Sequence, residues 1–95
     1  MADNTEHLFR AEQAGISLIW EPSGDADVAG YVVLRGEPSD ATLQPLTPSP
    51  VPDPRFRDTT VVSGRRYVYA VRAVDGHLPV PNVSDESTRV EETAR

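Results

Sequence analysis

The chain has 95 residues, a net charge of −6, no cysteine, and 38% hydrophobic but 6% aromatic residues. That length holds one domain with one thin core, and without cysteine neither a disulfide nor a thiolate metal site can form. The acidic balance, with a pI near 4.7, argues against nucleic-acid partners and against anionic membrane surfaces.

No run of residues approaches the ~20 apolar positions that cross a bilayer. Met1 to Glu6 is acidic and polar, unlike a secretory signal, and residues 1–6 read as a disordered leader. A lone small module of this kind is expected to be a piece of a larger, exported or cell-surface protein whose export signal lies elsewhere.

In chain order, His7 to Glu12 alternates weakly, with Leu8 and Phe9 as its large apolar residues, and reads as a first edge strand before a turn at Ala14-Gly15. Ile16, Leu18 and Trp20 then alternate with Ser17, Ile19 and Glu21, the pattern of a half-buried strand that Pro22 ends. Gly30 to Arg35 is the next strand, with Tyr31 and Val33 on one face and Val32 and Leu34 on the other. Thr42 to Leu46 is a short edge strand, followed by the prolines at 48, 50, 52 and 54, which suit an edge that refuses further pairing. Phe56 to Val61 is another strand. The strongest signal in the chain runs from Gly64 to Asp75, where Tyr67, Tyr69, Val71 and Ala73 alternate with Val68, Ala70, Arg72 and Val74. Val83 to Val90 is the last strand, and the domain is expected to span residues 7–91, leaving 92–95 as a polar tail.

Seven short strands with turn signals between them predict an all-β, antiparallel immunoglobulin-like β-sandwich. The segments Ile16 to Pro22, Asp27 to Val33, Phe56-Arg57-Asp58 and Val61 to Asp75 together resemble the fibronectin type III family, in the form common in bacterial multi-domain proteins. The resemblance implies that Trp20 is the core tryptophan of that family's strand B and Tyr31 the core tyrosine of strand C. It makes Tyr67 the family's tyrosine corner, its hydroxyl bonded to backbone in the turn before its own strand. Tyr69 and Val71 complete the expected structural core. The family's turn proline is replaced here by Ser63.

Candidate sites are few. His7 and His77 are the two histidines, neither beside a serine in a strained turn of the G-x-S-x-G kind, so no catalytic residue and no cofactor is expected. In the family's topology three loops share one pole, and here they carry Asp25, Asp27, Asp53 and Asp75. Carboxylates from separate loops could hold a hard cation such as calcium, although aspartate in a loop ordinarily caps its own turn. Val32, Leu34, Val68, Ala70 and Arg72, with Arg35 beside them, would form an apolar strip edged with arginine on the outward sheet face, a candidate contact surface. Pro45-Leu46-Thr47-Pro48 matches a P-x-x-P ligand pattern but has no adjacent arginine. The expected function is a non-catalytic spacer or interaction module, its partners the neighbouring domains of a parent chain. The alternative is a recognition module that binds protein or carbohydrate through that sheet face or through the loops at 23–28 and 75–83.

Overall fold

The computed structural model describes residues 15–24 and 27–95. Six strands and no helix form among them: β1 (Ile16–Ile19), β2 (Val28–Gly36), β3 (Gln44–Pro45), β4 (Arg55–Asp58), β5 (Arg66–Asp75) and β6 (Val90–Thr93). They make two antiparallel sheets in a sandwich-like arrangement, β1-β4 and β3-β2-β5-β6. The seventh strand expected at His7 to Glu12 lies outside the described residues, as do the leader at 1–6 and Asp25.

The alternation along β5 sets the architecture. Its register against β2 pairs Arg35 with Tyr69, Val33 with Val71 and Tyr31 with Ala73, and interleaves Gly36 with Val68, Leu34 with Ala70 and Val32 with Arg72. Since side chains alternate across a strand, the first set faces the two-stranded sheet and the second faces away. Between the sheets lie Ile16, Leu18, Val33, Val61, Tyr67, Tyr69 and Ala94, with Trp20, Leu46, Val51, Phe56 and Val71 packed around them. Each buried aliphatic side chain there contributes about 1.5–3 kcal/mol relative to exposure.

Trp20 does not sit at the centre of this core as a plug. β1 stops at Ile19, and the half-buried indole closes the rim, edge-on to the Tyr31 ring with centroids 5.4 Å apart. Tyr69 and Val33 hold the centre instead. The Tyr67 hydroxyl bonds backbone in the turn before β5, accepting from the Val62 amide at 2.8 Å. Gly64, at φ +85°, completes the turn closed by Arg65 N–H to Val62 O, a position where glycine meets no steric penalty.

The proline-rich stretch seals an edge by unusual means. Leu46 N–H bonds Val33 O, the Thr47 hydroxyl accepts from Val33 N–H, and Val51 exchanges both backbone bonds with Tyr31. The chain skips the prolines and re-enters pairing at Val51. Gly30 makes the approach possible, because a Cβ there would stand 2.9 Å from both Pro50 Cβ and Val51 O.

Two expectations at the C-terminus are corrected. The regular part of the last strand is Val90–Thr93, not Val83 to Val90. Residues 83–89 still follow β5, but Ser84 and Ser87 bond it twice each. Their amides donate to Ala73 O and Val71 O, and their hydroxyls accept from Ala73 N–H and Val71 N–H. Serine oxygens here replace the carbonyls of a regular ladder, as short polar side chains can. Residues 92–95 are therefore no tail. Glu92 pairs with Tyr67, and Ala94 is buried with both backbone groups bonded, to Gly64 and Arg65.

Candidate functional site

The outward face of the four-stranded sheet was the first candidate, and it is covered. Leu34, Val68 and Ala70 expose 4%, 9% and 3% of their surface, and they form a second small core with Leu43 and half-buried Val32. The reason is register. Leu34 pairs with Pro45, which puts Leu43 opposite Gly36 on the same outer face. Glycine leaves room for it, since a Cβ at Gly36 would meet Leu43 Cδ2 at 2.7 Å. Arg89 then reaches from the β6 side to the β2–β3 turn, donating to Asp40 O at 3.2 Å and Ala41 O at 2.8 Å. Glu86 links Arg89 at 2.8 Å to Arg72 at 3.6 Å. Val32, Leu34, Val68, Ala70 and Arg72 thus make a roofed strip, not an open apolar patch.

Arg35 belongs to the other side of the sheet. It shares the parity of Tyr31 and Val33 and points between the sheets, where Nη1 donates to Asp58 Oδ2 at 2.9 Å and to the Thr60 hydroxyl at 2.8 Å. Its guanidinium lies 5.2 Å from the centroid of the Tyr67 ring, within cation–π range. Asp58, 1% exposed, is the centre of this cluster. Oδ2 also accepts from the Tyr69 hydroxyl at 2.7 Å, and Oδ1 accepts from the Thr60 amide at 3.0 Å and hydroxyl at 2.7 Å. Burial by itself would raise the Asp58 carboxyl, but the bonds from Tyr69, Thr60 and Arg35 outweigh it and hold the group below the usual carboxylate value. Burial, and next the bond to this carboxylate, push the Tyr69 phenol well above its usual value. The carboxylate joins β4 to β2 and β5, so it fastens one sheet to the other. Sequence reading passed over it, although Asp58 has the inward parity of Phe56 and a matching cation stood at Arg35.

At the loop pole, the three described aspartates, Asp27, Asp53 and Asp75, do not gather into a site. Asp75 uses both oxygens inside its own loop: Oδ1 accepts from the amides of His77 and Asn82, and Oδ2 from the Asn82 side chain at 2.8 Å. Those bonds from Asn82 and His77 depress its carboxyl. Asp27 is adjacent, its carbonyl accepting from Gly76 N–H, and lines the same polar cleft with His77 and Asn82. Asp53 does not line that cleft, and Asp25 lies outside the described residues. Among the described residues no three His, Asp or Glu side chains are grouped to hold a metal ion.

The same bonds give the loop after β5 a fixed frame. His77 Nδ1 lies 2.8 Å from Val80 O, and Pro79 and Pro81 restrict the backbone further. On this frame Leu78 and Val80 stand 81% and 69% exposed. A second apolar feature is a groove of about 300 Å³ between β1 and the β5–β6 side, lined by residues that include Leu18, Trp20, Val71 and Val90. The Trp20 indole N–H is buried with no hydrogen-bond partner among the described residues. A scan against protein-family models finds none that matches the chain.

Proposed function

We propose that this chain is a non-catalytic β-sandwich module of the fibronectin type III kind. It serves as a spacer or interaction domain within a larger, exported or cell-surface protein, with neighbouring domains as its partners. The observation that carries the reading is the inter-sheet fastening, in which the Asp58 carboxylate on β4 takes bonds from Arg35 and Tyr69 of the other sheet and two more from Thr60 just after β4. Such a lock keeps two sheets at a fixed separation, as a spacer requires. The strand orders β1-β4 and β3-β2-β5-β6 support the family assignment, because they match the order its strands B-E and C′-C-F-G take. The Tyr67 hydroxyl bond to the turn before β5 supports it too.

The test places the chain between a donor and an acceptor fluorescent domain and reads the single-molecule distance distribution. A spacer gives one narrow population that broadens when the module is unfolded by urea. A distribution as broad as that of a glycine-serine linker of equal length overturns the reading.

The alternative, a discrete recognition module for protein or carbohydrate, draws support from the exposed Leu78 and Val80 on their bonded frame. It requires saturable binding to a member of a glycan or protein array, lost in Leu78→Ser/Val80→Ser while the melting temperature is unchanged.

A further inference from the structure

We propose that residues 37–43 form a flap over the outer face of the four-stranded sheet, and that Arg89 is the latch that holds it shut. The flap opens as a unit of its own. It uncovers Leu34, Val68 and Ala70 while the core between the sheets stays closed. Flap and latch hold whether or not the module is a spacer.

Little ties the segment down. Residues 37–42 are exposed, and Leu43 alone is buried. The turn's own bonds are internal: Asp40 N–H donates to Glu37 O, and Asp40 Oδ2 accepts from Glu37 N–H. They keep the turn in shape but fix it to no other element. The strand that follows, β3, is two residues long, and its second residue is Pro45, which has no N–H to give to a ladder. Among the described residues, the hydrogen bonds that reach residues 37–43 from elsewhere are the two from Arg89, to Asp40 O and Ala41 O. Otherwise the flap rests on one side chain, Leu43, seated over Gly36 among Leu34, Val68 and Ala70. A segment with so few buried contacts opens at lower free energy than the domain as a whole.

The latch comes from the far edge of the sheet. Arg89 lies just before β6, and the strand order β3-β2-β5-β6 puts two strands between it and the flap. Its direction is set from behind. Glu86 takes Nε at 2.8 Å, which leaves Nη1 and Nη2 for the two flap carbonyls. The same carboxylate faces Arg72 at 3.6 Å, and Arg72 donates to Ser84 O at 2.9 Å. The Arg89 and Arg72 side chains are 36% exposed and that of Glu86 24%, so dissolved ions weaken these pairs. The Asp58 carboxylate, 1% exposed, is screened far less. Added salt therefore frees the flap before it loosens the sheets.

The chain has no cysteine, so one introduced thiol reports on one place. Ala70→Cys reads the face under the flap and Val33→Cys the core between the sheets, each by its rate of alkylation with neutral iodoacetamide. The Ala70→Cys thiol is expected to react about tenfold or more faster than the Val33→Cys thiol. Adding Arg89→Ala should speed it about tenfold again and leave Val33→Cys unchanged, with Glu86→Gln in between. Sodium chloride at about 1 M, where the Debye length is ~3 Å, should act like Arg89→Ala and add nothing to it. Equal rates at the two thiols overturn the proposal, because opening is then global. So does an Ala70→Cys rate that ignores Arg89→Ala, and so does an Arg89→Ala effect equal at both thiols, which would make Arg89 a support of the whole fold. If Val33→Cys does not fold, amide exchange along the β2–β5 pair gives the global reference.

Discussion

Replacing Asp58 by asparagine keeps the shape of the side chain and removes its charge. Asparagine has one acceptor oxygen where aspartate has two, and its NH2 cannot accept. If the oxygen stays with Thr60, the donors of Arg35 and Tyr69 meet an NH2 group; if it turns to them, Thr60 does. Loss of one partner in a buried ion pair costs ~3–5 kcal/mol. Arg35 is 27% exposed and can recover water, which places the expectation at the low end, about 3 kcal/mol. For a domain of this size each kcal/mol lowers Tm by roughly 4–8 °C, so a fall of about 12–24 °C is expected by calorimetry. The pH dependence carries a second signature. Because the Asp58 carboxyl is depressed in the folded chain, its contribution is complete above the unfolded value of about 3.9 and is lost as pH falls through the lower folded value. The variant should therefore show a flatter acid limb below about pH 4. A loss under about 1 kcal/mol at neutral pH, with the acid limb unchanged, would refute the assignment of Asp58 as the fastening between the sheets.

Tyr69→Phe should cost about 1–3 kcal/mol in urea melts at pH 7, since it takes a bond from the same carboxylate. The Tyr69 phenol is raised in the folded chain, so its contribution is complete below the unfolded value of about 10 and is lost as pH rises through the higher folded value. The variant should destabilise less steeply than wild type above about pH 10. Gly30→Ala should cost about 1–3 kcal/mol by crowding Pro50 and the Val51 carbonyl, whereas Gly24→Ala, with no described residue within 4 Å of the added Cβ, should not lower Tm.

Much of the fold was legible along the chain. The period of two from Tyr67 to Val74 placed β5 and its two faces, and Tyr67 found a backbone partner in the turn before it, as a buried phenol must. What strands cannot declare in isolation is which surface another segment will cover. Val32, Leu34, Val68 and Ala70 have the composition of a contact face. Their burial depends on Gly36 leaving space for Leu43 and on Arg89 reaching across to Asp40 and Ala41, partners 49 and 48 residues away. The last strand was expected at Val83 to Val90 because that segment does run beside β5, but there the Ser84 and Ser87 hydroxyls stand in place of ladder carbonyls, and the regular ladder begins only at Val90.

The sequence by itself determined the class of fold, the faces of β5 and most of the turns, because alternation, proline and glycine act over a few residues. Tertiary structure alone decided the role of Asp58. A charged residue at an inward position is a penalty until its partners are known, and Arg35, Tyr69 and Thr60 meet it from three different segments. Only the packing of one sheet on the other turns that penalty into the bond that joins them.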